Sequence, residues 1–308
     1  MSRRRTVLLV ALLLLAGGCR CPRDEGRSTP GSTGRDGPGA RLGARLITVA
    51  SKQLGPQPVV VLLPPGFQPG RSYPLLLAFS GRGEAVMAPE RGAWGWARDY
   101  GLARQLEAVQ RGRLTARDFG GLVSPSRLQR YNRSLAAAPF SGMVVACPHT
   151  FDLLGAGQLR RTDYEQFYIE ELPRELRRRY DLRGGPEALG VDGVSLGGLW
   201  SLLLGFAHPD RVGQIGALQP AVTPYLEQLV ALAADRLEAL KRRPLSLVTS
   251  TGDGLRPVVT RLSEELRRLG LPHSFTLLDG PHDYEFNRGP GGLQMLLWHD
   301  RKFQGQPL

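Results

Sequence analysis

Residues that could hold the chain together covalently or through a metal are scarce in this sequence. Its 308 residues include three cysteines and five histidines. Cys19 and Cys21 lie near the N-terminus and Cys147 lies at the end of an apolar run, so they provide no even set for disulfides. No group of Cys and His residues has the spacing of metal ligands. We therefore predict a fold without a disulfide framework, and neither a metal nor an organic cofactor.

Long hydrophobic runs are also absent. The longest, residues 7–16, has ten residues, whereas a membrane-spanning helix needs about 20. It follows three arginines, and a short apolar run after positive charges is typical of a secretory signal. We therefore predict a signal peptide over residues 1–18 and export of the protein to the cell envelope.

Two glycines and Cys19 end the predicted signal. Small residues before a cysteine resemble the bacterial lipoprotein signal, and the resemblance implies that Cys19 becomes the lipidated first residue of the mature protein. The membrane would then be a partner through this N-terminal lipid anchor. Ala16 is less typical than Leu at its place in that signal. Plain secretion and an uncleaved anchor therefore stay open as alternatives.

Apolar side chains are almost missing from the segment after Cys19, which is rich in Gly, Pro, Ser, Thr and Arg. Such a composition cannot bury enough surface to fold, so we predict a disordered tether over residues 19–44. Residues 45–308 remain, and their length suits one large domain with a buried core.

Acidic residues are fewer than basic ones, 28 against 40, and the net charge is +12. A basic surface favours anionic lipids or polysaccharides as partners. The arginine runs 177–179 and 267–268 lie in helical patterns, where a solvated helix face is the simpler interpretation. Since the sequence has no recognised nucleic-acid-binding motif, we predict no nucleic-acid partner.

Apolar runs alternate with helical patterns along the predicted domain. We predict strands at about 45–51, 57–63, 74–80, 143–147, 188–192, 213–218, 245–250 and 274–278. After an opening hairpin, helices are predicted near 162–180, 198–207, 224–242, 257–269 and 291–300. This alternation predicts an α/β fold with a doubly wound, mostly parallel sheet of about eight strands and helices on both faces.

The most informative motif is Gly193-Val194-Ser195-Leu196-Gly197, between a predicted strand and a predicted helix. A Gly-x-Ser-x-Gly pentad on a strand-to-helix turn is typical of the nucleophile position in the α/β-hydrolase fold. The glycines leave room for a strained backbone that approaches the neighbouring strand and helix. The alternative is that Ser195 is an ordinary helix N-cap.

An acid and a base follow Ser195 in the order that this fold uses. The run at 245–250 leads into a loop with Asp253, and the run at 274–278 leads into a loop with His282. We predict Asp253 as the acid, with Asp279 and Asp283 as alternatives. Those two share the loop of the histidine, from which a side chain would usually point elsewhere.

His282 is the predicted base among the five histidines. His149 also follows an apolar run and is its one serious rival, but it precedes the serine in the sequence. We expect packing or capping for His208, and a structural or solvated place for His273 and His299.

The chain resembles α/β-hydrolase serine esterases of the type that includes esterase D, enterochelin esterases and bacterial feruloyl esterases. The resemblance covers roughly residues 45 to 300. It rests on residues 62–67 (LLPPGF), the strand beginning at Tyr73, the segment 164–180 with its EELP core, the pentad, and Gly280-Pro281-His282-Asp283.

The resemblance also implies an oxyanion hole made of two backbone N–H groups. One belongs to the residue after the nucleophile, Leu196, and the other to the loop after the third strand, here Arg82. Ser80 stands where relatives usually carry His. The Arg82 side chain is expected to lie on the surface.

Some sixty residues separate this loop from the next predicted strand. We predict a helical insertion over 82–142 that covers the site, because the segment is too long for a simple crossover. For its aromatic side chains, packing in a small core is the simpler interpretation, and contact with substrate is the alternative. These side chains and the large apolar ones beside them are Trp94, Trp96, Tyr100, Leu102, Leu106 and Phe119.

The resemblance implies a serine hydrolase and does not supply a substrate. We predict that the substrate is a carboxylic ester, either a small-molecule or a polymer-linked one. Two alternatives stay open. A noncatalytic surface lipoprotein would keep the scaffold without the chemistry. An acyltransferase would keep the catalytic groups and exclude water.

Overall fold

A computed structural model describes residues 43–155 and 160–308. The predicted signal peptide, Cys19, Cys21 and nearly all of the predicted tether lie outside the described residues. Ala44, the last residue assigned to the tether, is instead the first residue of a strand. Within the described ranges, no helix is long and apolar enough to cross a bilayer.

In the described part of the chain, eight strands form one sheet in the order β1-β2-β4-β3-β5-β6-β7-β8. They are β1 (Ala44–Ser51), β2 (Gly55–Leu62), β3 (Leu75–Phe79), β4 (Val144–Pro148), β5 (Leu189–Gly193), β6 (Gln214–Leu218), β7 (Leu245–Gly252) and β8 (Ser274–Pro281). β2 is antiparallel to β1 and to β4, and the other neighbours are parallel. The mostly parallel α/β sheet predicted from the sequence is confirmed.

β3, in the middle of the sheet, is apolar along its whole length because both faces of the sheet are covered. In β3, Leu75, Leu77 and Phe79 belong to one core, while Leu76 and Ala78 belong to a second core on the opposite face. This alternation follows from the two-residue period of a strand. The sheet is therefore the shared wall of two hydrophobic cores.

Twelve α-helical segments in the described residues surround the sheet. They are α1 (Arg82–Ala85), α2 (Pro89–Gly92), α3 (Leu102–Gln110), α4 (Pro125–Ala137), α5 (Arg161–Gln166), α6 (Leu172–Arg179), α7 (Leu196–Ala207), α8 (Leu226–Asp235), α9 (Leu237–Leu240), α10 (Arg256–Arg268), α11 (Tyr284–Phe286) and α12 (Gly292–Phe303). A π-helical turn, Phe167–Glu171, joins α5 to α6. The helix predicted at 224–242 is divided into α8 and α9.

The segment between β3 and β4 carries α1 to α4 and packs against the second core. Trp96, Leu102, Leu106 and Phe119 are almost completely buried there. Trp94 is partly buried against the same core. Packing therefore accounts for these side chains, whereas Tyr100 also faces a cavity.

Cys147 is a free cysteine inside β4. Complete burial raises the pKa of its thiol, and a thiol in such surroundings is chemically inert.

Candidate active site

Ser195 lies on the sharp turn between β5 and α7. Its φ of 58° and ψ of −114° place it outside the regions that L-residues prefer. Among the described residues only Ser195 and Gln219 combine a side chain with positive φ. At the N-cap position of α7, the Ser195 side chain accepts no hydrogen bond from a described backbone N–H. The Ser195 hydroxyl therefore does not cap α7 and is left available for another role.

Two glycines make this turn possible. A Cβ on Gly197 would clash with the carbonyl oxygen of Phe79, and a Cβ on Gly193 would lie 2.6 Å from the carbonyl carbon of Gly197. The strand, the turn and the helix can approach this closely only without side chains at both positions.

His282 and Asp253 are in direct contact. His282 Nδ1 lies 2.8 Å from Asp253 Oδ1. The Asp253 carboxylate is buried and also accepts hydrogen bonds from Thr249 Oγ1, at 2.7 Å, and from the backbone N–H of Leu255, at 2.9 Å. Burial would raise the pKa of Asp253, but these three hydrogen bonds outweigh it and lower the pKa below its ordinary value. The carboxylate is thus held ionised beside the imidazole.

In the described structure the carboxylates of the other candidate acids form no hydrogen bond with the His282 imidazole. Asp283 accepts hydrogen bonds from the backbone N–H groups of Glu285 and Phe286 and caps α11. Asp279 lies within β8, which runs on to Pro281, beyond the predicted end at residue 278.

The remaining histidines have other surroundings. His149 is buried, with Nε2 3.2 Å from the carbonyl oxygen of Ala85. His273 contacts Ser263, and His208 is the C-cap of α7.

His299 is completely buried rather than solvated. Its Nε2 lies 3.0 Å from Asp192 Oδ2, and its Nδ1 lies 2.9 Å from Gln214 Oε1. Burial raises the pKa of Asp192, against the effect of the His299 contact. Since Asp192 is in β5 just before the turn of Ser195, this contact fastens that turn to α12.

Ser195 and His282 line one cavity of about 190 Å³. Its other lining residues come from the loop after β3, from the insertion, from the turn after β5 and from the segment after His282. They are Gly81, Arg82, Gly83, Glu84, Tyr100, Val194, Asp283, Tyr284 and Asn287. The cavity therefore brings together the carboxyl ends of β3, β5 and β8.

Arg82 and Leu196 are the first residues of α1 and α7. Backbone N–H groups at a helix start have no acceptor within their own helix. The N–H groups just before Arg82 are engaged, since Ser80 donates to Thr150 Oγ1 at 2.9 Å and Gly81 donates to the Tyr100 hydroxyl at 3.1 Å. The Arg82 side chain is 53% exposed and forms an ion pair with Asp152.

Sequence reasoning missed a cluster of three side chains in this cavity. The carboxylate of Glu84, which is 1% exposed, accepts hydrogen bonds from the hydroxyls of Tyr100 and Tyr284. Glu84 is the third residue of α1, the helix that follows the loop after β3, and Tyr284 stands two residues after His282. These positions close to the oxyanion loop and to the base could have indicated that Glu84 and Tyr284 belong to the site. The contact of Tyr100 with Glu84, in contrast, depends on how the insertion packs.

Gln219 was also missed. Its backbone has a φ of 44°, and its buried amide donates to Ser250 Oγ at 2.7 Å and to the carbonyl oxygen of Pro281 at 2.9 Å. The Gln219 side chain therefore fixes the position of the backbone just before His282.

Within residues 43–155 and 160–308, no group of His, Cys, Asp or Glu side chains is placed to hold a metal ion.

Residues 53–240 match the family model described as "Putative esterase". This match spans more than half of the chain and includes Ser195, while Asp253 and His282 lie beyond its end. No curated protein matches the sequence significantly.

Solved structures share the fold. A ferulic acid esterase superposes with a TM-score of 0.65 at 18% identity, covering 84% of this chain and 98% of that chain. S-formylglutathione hydrolase (FrmB) from Staphylococcus aureus gives 0.60 at 14% identity, with coverage of 83% and 96%. FphF, a fluorophosphonate-binding serine hydrolase of Staphylococcus aureus, gives 0.59 at 14% identity, with coverage of 83% and 98%. These likenesses confirm the α/β-hydrolase fold predicted from the sequence.

Proposed function

The chain belongs to the Putative esterase family, and we propose that it hydrolyses carboxylic esters with Ser195, His282 and Asp253 as its catalytic groups. The observation that carries the proposal is the 2.8 Å contact between His282 Nδ1 and Asp253 Oδ1. His282 also lines the same cavity as Ser195. A buried acid, a partly exposed imidazole and a serine on a strained turn are what nucleophilic acyl transfer requires.

In the proposed reaction, the Ser195 hydroxyl attacks the ester carbonyl while His282 takes its proton. Asp253 accepts the Nδ1–H hydrogen bond, so the other imidazole nitrogen, Nε2, is free to act as the base. The N–H groups of Leu196 and Arg82 stabilise the negative oxygen of the tetrahedral intermediate.

His282 then gives its proton to the departing alcohol, and an acyl-enzyme remains on Ser195. Water, deprotonated by the same imidazole, releases the carboxylic acid and restores the serine.

The substrate class follows from the cavity and the family. A volume of about 190 Å³ is below the ~300–1,000 Å³ of sites that enclose a drug-sized molecule. The cavity therefore has room for the ester group and a compact part of the substrate, while the rest of a larger small-molecule or polymeric ester stays outside.

The experiment that tests this function is labelling with a fluorophosphonate, followed by hydrolysis of p-nitrophenyl esters. The probe should attach to Ser195, and Ser195→Ala should lower hydrolysis by at least ~10³-fold because nucleophile and base act as a unit. The thermal transition should change little. Comparable activity in Ser195→Ala contradicts the assignment, and absent labelling with absent turnover indicates a noncatalytic scaffold.

An added alcohol separates hydrolysis from acyl transfer. A hydrolase releases the free acid as its main product, whereas an acyltransferase forms the new ester in preference to the acid.

Export and membrane attachment are a separate proposal. They are supported by the charged and apolar segments before Cys19, all of which lie outside the described residues.

A further inference from the structure

Glu84 is a buried carboxylate in the wall of the catalytic cavity that the proposed reaction does not use. It is the third residue of α1, whose first residue, Arg82, provides the proposed oxyanion donor. Burying a carboxyl group is costly unless its oxygens gain strong hydrogen bonds. The hydrogen-bond partners of Glu84 therefore indicate which parts of the site it connects.

Those partners come from two separate parts of the fold. Glu84 Oε1 accepts from the hydroxyl of Tyr284 at 2.7 Å, and Oε2 accepts from the hydroxyl of Tyr100. Tyr284 belongs to α11, two residues after His282, whereas Tyr100 ends the π-helical turn Gly95–Asp99 of the insertion. One carboxylate thus connects the oxyanion loop with the segment that carries the base.

Tyr100 is itself held in place on the opposite side. Its hydroxyl accepts the N–H of Gly81 at 3.1 Å, and its ring packs edge-on against Trp96 with 5.0 Å between ring centres. Tyr100 and Tyr284 also meet at an angle, with 5.5 Å between ring centres. The hydroxyl of Tyr100 therefore fixes both ends of the turn from Gly81 to Glu84.

Both tyrosines are in the protonation state that this arrangement needs. Burial, with the neighbouring carboxylate as a further cause, raises the pKa of Tyr284 to about 12 and raises the pKa of Tyr100 well above its ordinary value. Both hydroxyls therefore keep their protons at neutral pH and donate to Glu84.

We propose that Glu84 is a positioning residue that, through Tyr100 and Tyr284, holds the oxyanion loop and the His282 segment at the separation required for ester hydrolysis. The inference rests on the proposed function of Ser195, His282 and Arg82. It assigns to Glu84 no contact with the reacting atoms.

The test uses Tyr284→Phe and Tyr100→Phe, each of which removes one hydroxyl and keeps the ring. Misplaced donors cost rate rather than binding, so each variant should lower kcat on p-nitrophenyl acetate about 10-fold or more and leave KM within about twofold. The rate of fluorophosphonate labelling should fall by a similar factor, because the phosphonyl oxygen uses the same donors. Tyr180→Phe, at the C-cap of α6 and outside the cavity, is the matched control and should match wild type.

The same measurements on three acetate esters with different alcohols separate positioning from substrate contact. Positioning lowers kcat by the same factor for all three. A rise in KM that depends on the alcohol would show that Tyr284 contacts substrate, and a lower melting temperature with unchanged kcat would show a merely structural cluster. Either result overturns the inference while Ser195 labelling leaves the proposed function intact, whereas an unlabelled wild type overturns the proposed function itself.

Discussion

Asp253 accepts hydrogen bonds from His282, Thr249 and the backbone of Leu255. In the proposed reaction the bond to His282 keeps the proton on Nδ1 and leaves Nε2 free. Asp253→Asn should leave the fold intact and lower turnover by as much as ~10⁴-fold, since an amide favours the wrong imidazole tautomer. Asp279→Asn, on the adjacent strand, is the matched control and should cost far less. Turnover on one soluble ester, with both variants shown to be folded by circular dichroism, gives the ranking. A greater loss in Asp279→Asn would move the acid to that residue.

The lowered pKa of Asp253 also links the site to acid stability. Its pKa lies below the ordinary value of 3.8, so the folded chain favours the carboxylate. The resulting stabilisation is complete above the ordinary pKa and is lost as pH falls through the lowered one. Urea unfolding at several pH values between neutral and about pH 2 should therefore show a smaller loss of stability on acidification for Asp253→Asn than for wild type. Parallel pH curves for the two proteins would contradict the assigned shift.

How far single residues could be predicted depends on the distance between partners along the chain. Ser195, Asp253 and His282 were predicted because each follows an apolar strand, and the order of strand ends can be read locally. Glu84 could not be assigned a role in the same way. Its partners are 16 and 200 residues away: the packing of the insertion brings Tyr100 to it, and the fold of the segment after His282 brings Tyr284.

At the scale of elements, the parallel strands β3 to β8 were predicted because buried parallel strands are largely apolar runs, and the antiparallel β1 and β2 were predicted as an opening hairpin. Their ends were less clear. β8 continues through Asp279 and Gly280 to Pro281 because it pairs with the end of β7 after an irregularity near Ser250. Such pairing depends on the neighbouring strand and leaves no local signal.

The junction of β5 and α7 gives a prediction about packing. Gly197→Ala places a Cβ against the carbonyl of Phe79, so strand and helix must separate, and the free energy of unfolding should fall by about 1–3 kcal/mol. Turnover should fall with it, since the turn of Ser195 shifts. Gly184→Ala is the control, because a Cβ there meets nothing within 4 Å. Urea unfolding and turnover should both be near wild type in the control, and an equally stable, active Gly197→Ala would contradict the crowding.

At the scale of the whole molecule, the proposed anchor predicts where the protein is found. In a bacterial host with lipoprotein processing, Cys19→Ala should move the protein from the membrane fraction to soluble or unprocessed forms. Fractionation and mass spectrometry of the mature N-terminus measure this, with Cys21→Ala as the matched control. Unchanged fractionation of Cys19→Ala, with no lipid on the N-terminus, would rule out the anchor.

The contact between Asp192 and His299 has a consequence for biosynthesis. The strand that leads to the nucleophile is braced by a helix that ends at Phe303, so the brace forms only after a ribosome has made the chain through α12. Truncated chains that end before α12 should therefore react poorly with a fluorophosphonate even though they contain Ser195, Asp253 and His282. Reactivity should arise only after α12 has been synthesised.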